Sequence, residues 1–262
     1  MQKEDKLTHP VFQADQVTVN YDKTSVLWDI SLKVPSGKLV GIIGPNGAGK
    51  STFIKAALGL VKPISGSFFY FGKPLKEVPL QVAYVPQRET VDWDFPITVK
   101  DLVLMGRYGK LGLFKWPRKA DKEAAEYYLN QVGMTAYKDR QINQLSGGQQ
   151  QRVFIARALL QEADIYFMDE PLSGIDHATE TVIMNILRQL QQSGKTIFVV
   201  HHDLNTVQTY FDWIVMLNTR LVACGAISEA YNSDTLQKTY GKSYSLFDEA
   251  LKLSNNKASG LL

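Results

Sequence analysis

The sequence is poor in cysteine. One thiol, Cys224, stands in 262 residues. An internal disulfide framework is therefore excluded, and a reducing compartment is expected. Cys224 itself reads as a small buried hydrophobe. Strong net charge is also missing: 29 Lys plus Arg against 26 Asp plus Glu leave +3. That is too little to argue for nucleic acid, whose binders concentrate basic charge on one face. No stretch approaches about 18 uninterrupted apolar residues, so no membrane-spanning helix is expected. The charged start, MQKEDKLTHP, lacks the apolar segment of a secretory signal. A cytosolic chain is expected, and attachment to a membrane through a partner stays open. Internal repeats and low-complexity blocks are absent as well.

What is present is a hydrophobic content of 45%, enough for one large domain or a domain with a subdomain. Four apolar runs share one design: KLVGIIG (38–44), QVAYVPQ (81–87), DIYFMDE (164–170) and KTIFVVHHD (195–203). Nearly continuous Val, Ile, Phe, Tyr and Leu suit strands buried on both faces, as in a parallel sheet. Helical patterns at 50–60, 120–132, 149–162 and 179–193 alternate with them. The expectation is an α/β domain. Ligands of such sheets sit beyond the carboxyl ends of the strands, where Gly44, Gln87, Asp169, Glu170 and His202 fall.

The first forty residues differ. VFQADQVTVNY and VLWDISLKV alternate apolar with polar, as antiparallel strands open to water on one face do. FDWIVMLNTRLVACG (211–225) reads as a hairpin turning at Asn218–Thr219. Residues 88–145 carry no strong strand and read as a mainly helical insert. The chain from about Lys238, ending SNNKASGLL, reads as a frayed tail.

GPNGAGKST (44–52) satisfies the phosphate-loop pattern. Its glycines let successive N–H groups of Gly44, Pro45-Asn46, Gly47, Ala48 and Gly49 be arranged around phosphate oxygens, proline lacking one. Lys50 supplies charge for the β and γ phosphates, Ser51 a hydroxyl for Mg²⁺, and the helix beginning there, through Thr52, its positive dipole end. IYFMDEP (165–171) carries Asp169 to a strand end, where a carboxylate can hold Mg²⁺. Glu170 points elsewhere and can polarise an attacking water. Gln87 could contact Mg²⁺ or that water, and it opens the insert. His201 reads as a packed core residue and His202 as the functional one, able to hydrogen-bond a γ-phosphate. Tyr21 either stacks on an adenine or belongs to the core. Ser146 and Gln149 form an S-x-x-Q capping box for the helix QQQRVFIARALLQEA.

These residues together resemble the ATP-binding subunits of ABC transporters across nearly the whole chain. GPNGAGKST is similar to the Walker A motif, IYFMDEP to Walker B and LSGGQ (145–149) to the family's signature. SGID (173–176) looks like the D-loop although the family's common form is SALD; Asp176 is kept. His202, Gln87 and Tyr21 look like the H-loop, Q-loop and adenine-stacking A-loop. The resemblance implies a P-loop NTPase (RecA-like) parallel-sheet core with an N-terminal antiparallel β subdomain and an inserted helical subdomain. It implies one ABC ATPase domain over 1–262: core at about 10–87 and 162–235, helical subdomain with signature at about 88–161, tail at 236–262. It implies ATP and Mg²⁺ as ligands, with Ser51, Gln87 and Asp169 holding the metal and Glu170, His202, Lys50 and Gln87 serving hydrolysis. Ser146, Gly147, Gly148 and Gln149 are implied to meet the γ-phosphate bound by a second copy, so that two subunits enclose two ATP molecules.

VDWDFPITV and VLMGRYGKLG, within 88–117, are similar to the ATPases of manganese, zinc and iron importers. Siderophore, haem and cobalamin importers, which often carry GRYPH at the latter point, are the alternative. A non-transport ABC ATPase or a P-loop kinase is less well matched. The importer reading implies a peripheral protein on the cytoplasmic face of the plasma (inner) membrane. Permease subunits would dock near 88–117, where Trp93, Phe95, Phe114 and Trp116 are expected to be exposed in part, and an extracytoplasmic metal-binding protein would be an indirect partner.

Overall fold

The computed structural model describes residues 10–21, 24–112 and 115–241. In chain order the elements are β1 (Phe12–Tyr21), β2 (Thr24–Val34), β3 (Leu39–Ile43), α1 (Lys50–Ala57), β4 (Ser65–Tyr70), β5 (Val82–Val85), α2 (Val99–Leu104), α3 (Tyr108–Leu111), α4 (Lys119–Gln131), α5 (Gly147–Leu160), β6 (Ile165–Met168), α6 (His177–Gln192), β7 (Thr196–Val200), α7 (Val207–Tyr210), β8 (Trp213–Asn218), β9 (Arg220–Ala226), α8 (Ile227–Ala230) and α9 (Ser233–Tyr240). The chain divides into two compact units. One comprises the described residues of Met1–Gln13, Lys33–Val40 and Phe68–His201; the other those of Ala14–Leu32, Gly41–Ser67 and His202–Leu262.

In the first unit β5, β6 and β7 are parallel, with Val82 opposite Ile165 and Ile165 opposite Thr196. The next strand is β3, reached through the Ile197 amide, which donates to the Lys38 carbonyl at 2.9 Å. Every residue of β6 and β7 is buried, which is why those runs contain no alternation. The Phe167 and Phe198 rings stack at 4.7 Å, and Phe12, from the start of β1, meets Phe198 edge-on at 5.0 Å. The insert forms its own core from Leu102, Val103, Ala125, Leu129, Val153 and Ile155. Trp93 lies half-buried against it: its indole N–H donates to the Arg88 carbonyl at 2.9 Å and its ring meets Phe154 edge-on at 5.1 Å. Phe95 and Trp116 are exposed, at 61% and 87%, and Phe114 lies outside the described residues.

In the second unit most of β2 and β1 and the first half of β4 form an antiparallel sheet with β1 in the middle, in the order β2-β1-β4, and β3 continues into the order β3-β8-β9. The expected hairpin is present but tighter than expected. Asn218 pairs with Arg220, leaving Thr219 alone at the turn with φ 61°, an unusual state for a β-branched residue. A bulge at Met216/Leu217 accommodates the odd count. The tail expected from 236 begins inside α9, which Asn232 caps and which buries Leu236 and Thr239. SNNKASGLL lies outside the described residues.

The first unit contains an ion cluster at the end of α5. Arg107 grips Glu162 with Nη1–Oε2 2.7 Å and Nη2–Oε1 3.0 Å, and Lys110 adds a contact at 3.0 Å. The Arg107 bond holds the Glu162 carboxyl down at about 2, from an ordinary 4.5. With 43% of its side chain in water, Glu162 contributes on the order of 1 kcal/mol. A lowered folded pKa stabilises above the ordinary carboxylate value, and the effect is lost as pH falls toward the folded one. Glu162→Gln should therefore lower the urea midpoint at pH 7, and the gap from wild type should close between pH 4.5 and about 2. A gap of undiminished size near the acid end would refute this assignment.

Candidate nucleotide site

The phosphate loop leaves β3, whose five residues are all buried, and ends in α1. The Ala48 amide donates to the Pro45 carbonyl at 3.1 Å, closing the turn. Gly49 stands at φ 91°. A Cβ there would sit 2.6 Å from Leu27 Cδ2 and 2.9 Å from the Val26 carbonyl oxygen, so neither the backbone nor the neighbouring strand tolerates a side chain. The loop is also held from outside: the Thr219 amide donates to the Ala48 carbonyl at 3.1 Å, and the Thr219 carbonyl accepts from the Trp28 amide at 2.8 Å. The strained hairpin turn is thus a brace for the loop.

Lys50 is 6% exposed. Its Nζ donates to the carbonyls of Gly44 and Pro45 at 2.8 and 3.0 Å. The ammonium lies over the loop's own concavity, placed to exchange a carbonyl for a phosphate oxygen. No side chain caps α1 and no acid stands in its first turn. Its first N–H groups and dipole therefore favour an anion. Asn46 and Gly47 are exposed, Pro45, Ser51 and Thr52 half-buried, and Gly44 and Ala48 buried. Tyr21 is 47% exposed, so it is no core residue. His202 is exposed, while His201, in the first unit, is 5% exposed.

The first unit carries the acidic pair. Asp169 is 1% exposed, its amide donating to the Val85 carbonyl at 2.9 Å. Burial, aided by the Asp169 charge, pushes the Tyr84 phenol up to about 12. Glu170 follows in the left-handed region at φ 54°, a cost of about 1 kcal/mol or more that concentrates at functional positions. That backbone reversal turns successive carboxylates to different surroundings. Gln87 Nε2 donates to Glu170 Oε2 at 3.2 Å. Within the first unit the Asp169 carboxylate and the Gln87 carboxamide are hard oxygen donors, of the kind that suits Mg²⁺ rather than a thiophilic metal; the Ser51 hydroxyl of the second unit is a donor of the same kind.

Ser146 is the N-cap of α5 and the capping box is complete. The Ser146 amide donates to Gln149 Oε1 at 2.9 Å, and the Gln149 amide to Ser146 Oγ at 3.4 Å. The second bond is long, so Gln149 carries more of the cap. Gly148 faces Ile175, and the Arg88 guanidinium lies against Gly147. Asp176 caps α6: its Oδ1 accepts from the Thr179 amide at 2.9 Å, and that bond holds its carboxyl below the usual range. Arg88, Ile175 and Thr219 were not picked out by sequence reasoning. Arg88 directly follows Gln87 and Thr219 sits in the expected hairpin, but only the fold shows what each touches.

A groove of about 350 Å³ also belongs to the first unit, lined by Leu80, Tyr84, Pro86, Met105, Arg157 and Gln161 among others. Gly106 lets the backbone pack directly on the Arg157 carbonyl at its side.

A glycine phosphate loop behind a buried strand, with a strand-end acid pair, defines the P-loop class of ATPases. Within that class, a family model described as ABC transporter matches residues 27–173, and the chain belongs to this family. It is 59% identical over 229 residues to the manganese transport system ATP-binding protein MntB of Bacillus subtilis (strain 168), covering 87% of this chain and 92% of that one. It is 53% identical to the zinc transport system ATP-binding protein TroB of Treponema pallidum (strain Nichols), covering 87% and 86%. Among solved structures, the ATP-binding subunit of an ABC transporter superposes with TM-score 0.73 at 25% identity, covering 92% and 99%.

Gly49→Ala puts a methyl group where the backbone angle and Leu27 both reject one. ATP affinity, measured by calorimetry on the full chain, should fall by about tenfold or more, one step of about 1.4 kcal/mol. Unchanged affinity would show that the loop binds in another conformation.

Proposed function

We propose that this chain is the ATP-hydrolysing subunit of a membrane importer for a divalent transition metal, manganese or zinc. The observation that carries the reading is the 59% identity with a protein named for manganese transport over 87% of the chain. The zinc-named relative at 53% keeps both metals in the proposal. Such names describe one component of a transport system, and no helix among the described residues is long and apolar enough to cross a membrane. Permease subunits form the path, and they hold the ATPase peripherally at the cytoplasmic face of the plasma (inner) membrane. An extracytoplasmic protein delivers the metal to them.

The residues divide the chemistry as follows. Tyr21, half in water, offers a ring face to adenine. The amides of Gly44–Thr52 and the Lys50 ammonium take the β and γ phosphates, Lys50 giving up its loop carbonyls to do so. Ser51, Asp169 and Gln87 would hold Mg²⁺, which would supply positive charge to those phosphates. Glu170 orients the attacking water and accepts its proton. His202 orients the γ-phosphate. A second copy contributes Ser146, Gly147 and Gly148, with Asp176 beside them, and the closed dimer excludes water. The long Ser146 cap supports this: its hydroxyl can turn to a phosphate while Gln149 still closes the turn.

The permease docks on the insert near 88–117. The groove by β5 supports this, because it joins the strand leading to Gln87 with the helix leading from the signature, and because Leu80 and Met105 leave apolar surface exposed there.

Glu170→Gln should abolish ATP hydrolysis while leaving ATP binding and ATP-driven dimerisation intact; hydrolysis at the wild-type rate would refute the role of Glu170. In vesicles carrying the permease and metal-binding protein, uptake of ⁵⁴Mn²⁺ or ⁶⁵Zn²⁺ should require ATP and this subunit. Absence of ATP-dependent uptake of either metal would overturn the importer reading.

A further inference from the structure

Two neighbouring residues, Gln87 and Arg88, reach in different directions within the first unit. Gln87 Nε2 holds Glu170 Oε2 at 3.2 Å. Arg88 Nε donates to Gln150 Oε1 at 3.1 Å. Gln150 is 4% exposed, and its own Nε2 donates to the Ile142 carbonyl at 3.2 Å, which settles the direction of its carboxamide. The Arg88 guanidinium also packs against the first helical residue of α5. A Cβ on Gly147 would stand 2.7 Å from Arg88 Cζ and 2.8 Å from Nε. The peptide carbonyls on either side are tied as well: that of Gln87 accepts from Thr90 Oγ1 at 2.7 Å and that of Arg88 from Trp93 Nε1 at 2.9 Å. Trp93 in turn rests on Phe154 of α5.

The placement of Arg88 is not an electrostatic convenience. A cation beside the first turn of a helix is disfavoured by the helix dipole. What holds it there is the Gln150 bond and the space that Gly147 leaves. The backbone between Arg88 and Gln87 is one planar peptide with its neighbours pinned, so movement of the first turn of α5 reaches the Gln87 side chain across a single residue. The geometry points to Arg88 as a positioning residue for ATP hydrolysis: it sets the Gln87 carboxamide, and through it the Glu170 carboxylate, according to the position of the signature turn. This rests on Glu170 being the base.

The test is a double-mutant cycle in the steady-state ATPase of the full chain. Arg88→Ala should lower kcat about tenfold with KM for ATP changed less than about twofold. Arg88→Lys, which keeps the charge and loses the Nε donor, should not rescue it. Gln150→Ala should reproduce the defect. Combined with Gln87→Ala, which removes the carboxamide, Arg88→Ala should lower kcat no further than Gln87→Ala alone. Multiplying defects would mean that Arg88 acts only through general folding and would overturn the proposal, as would a change confined to KM or full rescue by lysine. Should Arg88→Ala fail to fold, the Lys and Gln150 variants carry the same cycle. Failure here with Glu170→Gln inactive sinks the positioning role alone; an active Glu170→Gln sinks the underlying base assignment.

Discussion

Backbone N–H groups at the start of a helix can serve a side chain or a ligand, and the choice is made by the residue before the helix. In this chain Thr98 caps α2, Ser146 caps α5, Asp176 caps α6 and Asn232 caps α9. At α1 the preceding residue is Gly49, with nothing to offer. A helix capped by glycine instead of Ser, Thr, Asn or Asp is less stable by only about a few tenths of a kcal/mol. Here the glycine is required by the backbone angle and by Leu27 pressing on it, and no side chain caps the helix it precedes. Lys50 completes the arrangement by neutralising two carbonyls of the same loop until an anion replaces them.

The acidic pair follows a related logic of direction. Adjacent residues on a continuing strand would point to opposite faces. Here β6 ends at Met168, and the left-handed backbone at Glu170 turns the chain just beyond it, so the two carboxylates can serve different partners. Gln87 is the visible partner of Glu170, and a hydrogen bond to a charged group is worth about 1.5–3 kcal/mol. Such a bond is strong enough to keep the carboxylate in one orientation. The Thr219 turn applies the same device in the other unit: a residue outside its preferred backbone region is tolerated because it donates to the phosphate loop and accepts from β2.

Much of this was legible in the sequence, for identifiable reasons. Strands buried on both faces announce themselves as unbroken apolar runs, and β3, β5, β6 and β7 fall inside theirs. The residues around the phosphate loop, the acid pair and the signature are contiguous, so local pattern finds them. Less visible was β4, which starts Ser-Gly-Ser and looks like a turn. Trp93 sits in a proline-containing loop, and its ring contact is with Phe154, 61 positions away. Gln87 and Glu170 are separated by 83 positions, Arg88 and Gln150 by 62. Pairings at that range are created by the fold, and no period or spacing encodes them.

That separation bears on how the acid can be switched. Gln87 cannot leave Glu170 by moving its backbone cheaply, because its carbonyl is bound by both the Thr90 amide and hydroxyl. Its side chain, however, needs only a change of rotamer, which leaves the backbone in place. The favoured rotamer depends on where the peptide stands, and Arg88 ties that peptide to Gly147 and Gln150. On the role proposed for Arg88, a small displacement of the first turn of α5 would decide whether Gln87 keeps the carboxylate or releases it. The energy at stake would be that of one charged hydrogen bond, so a switch of this size would need no large rearrangement.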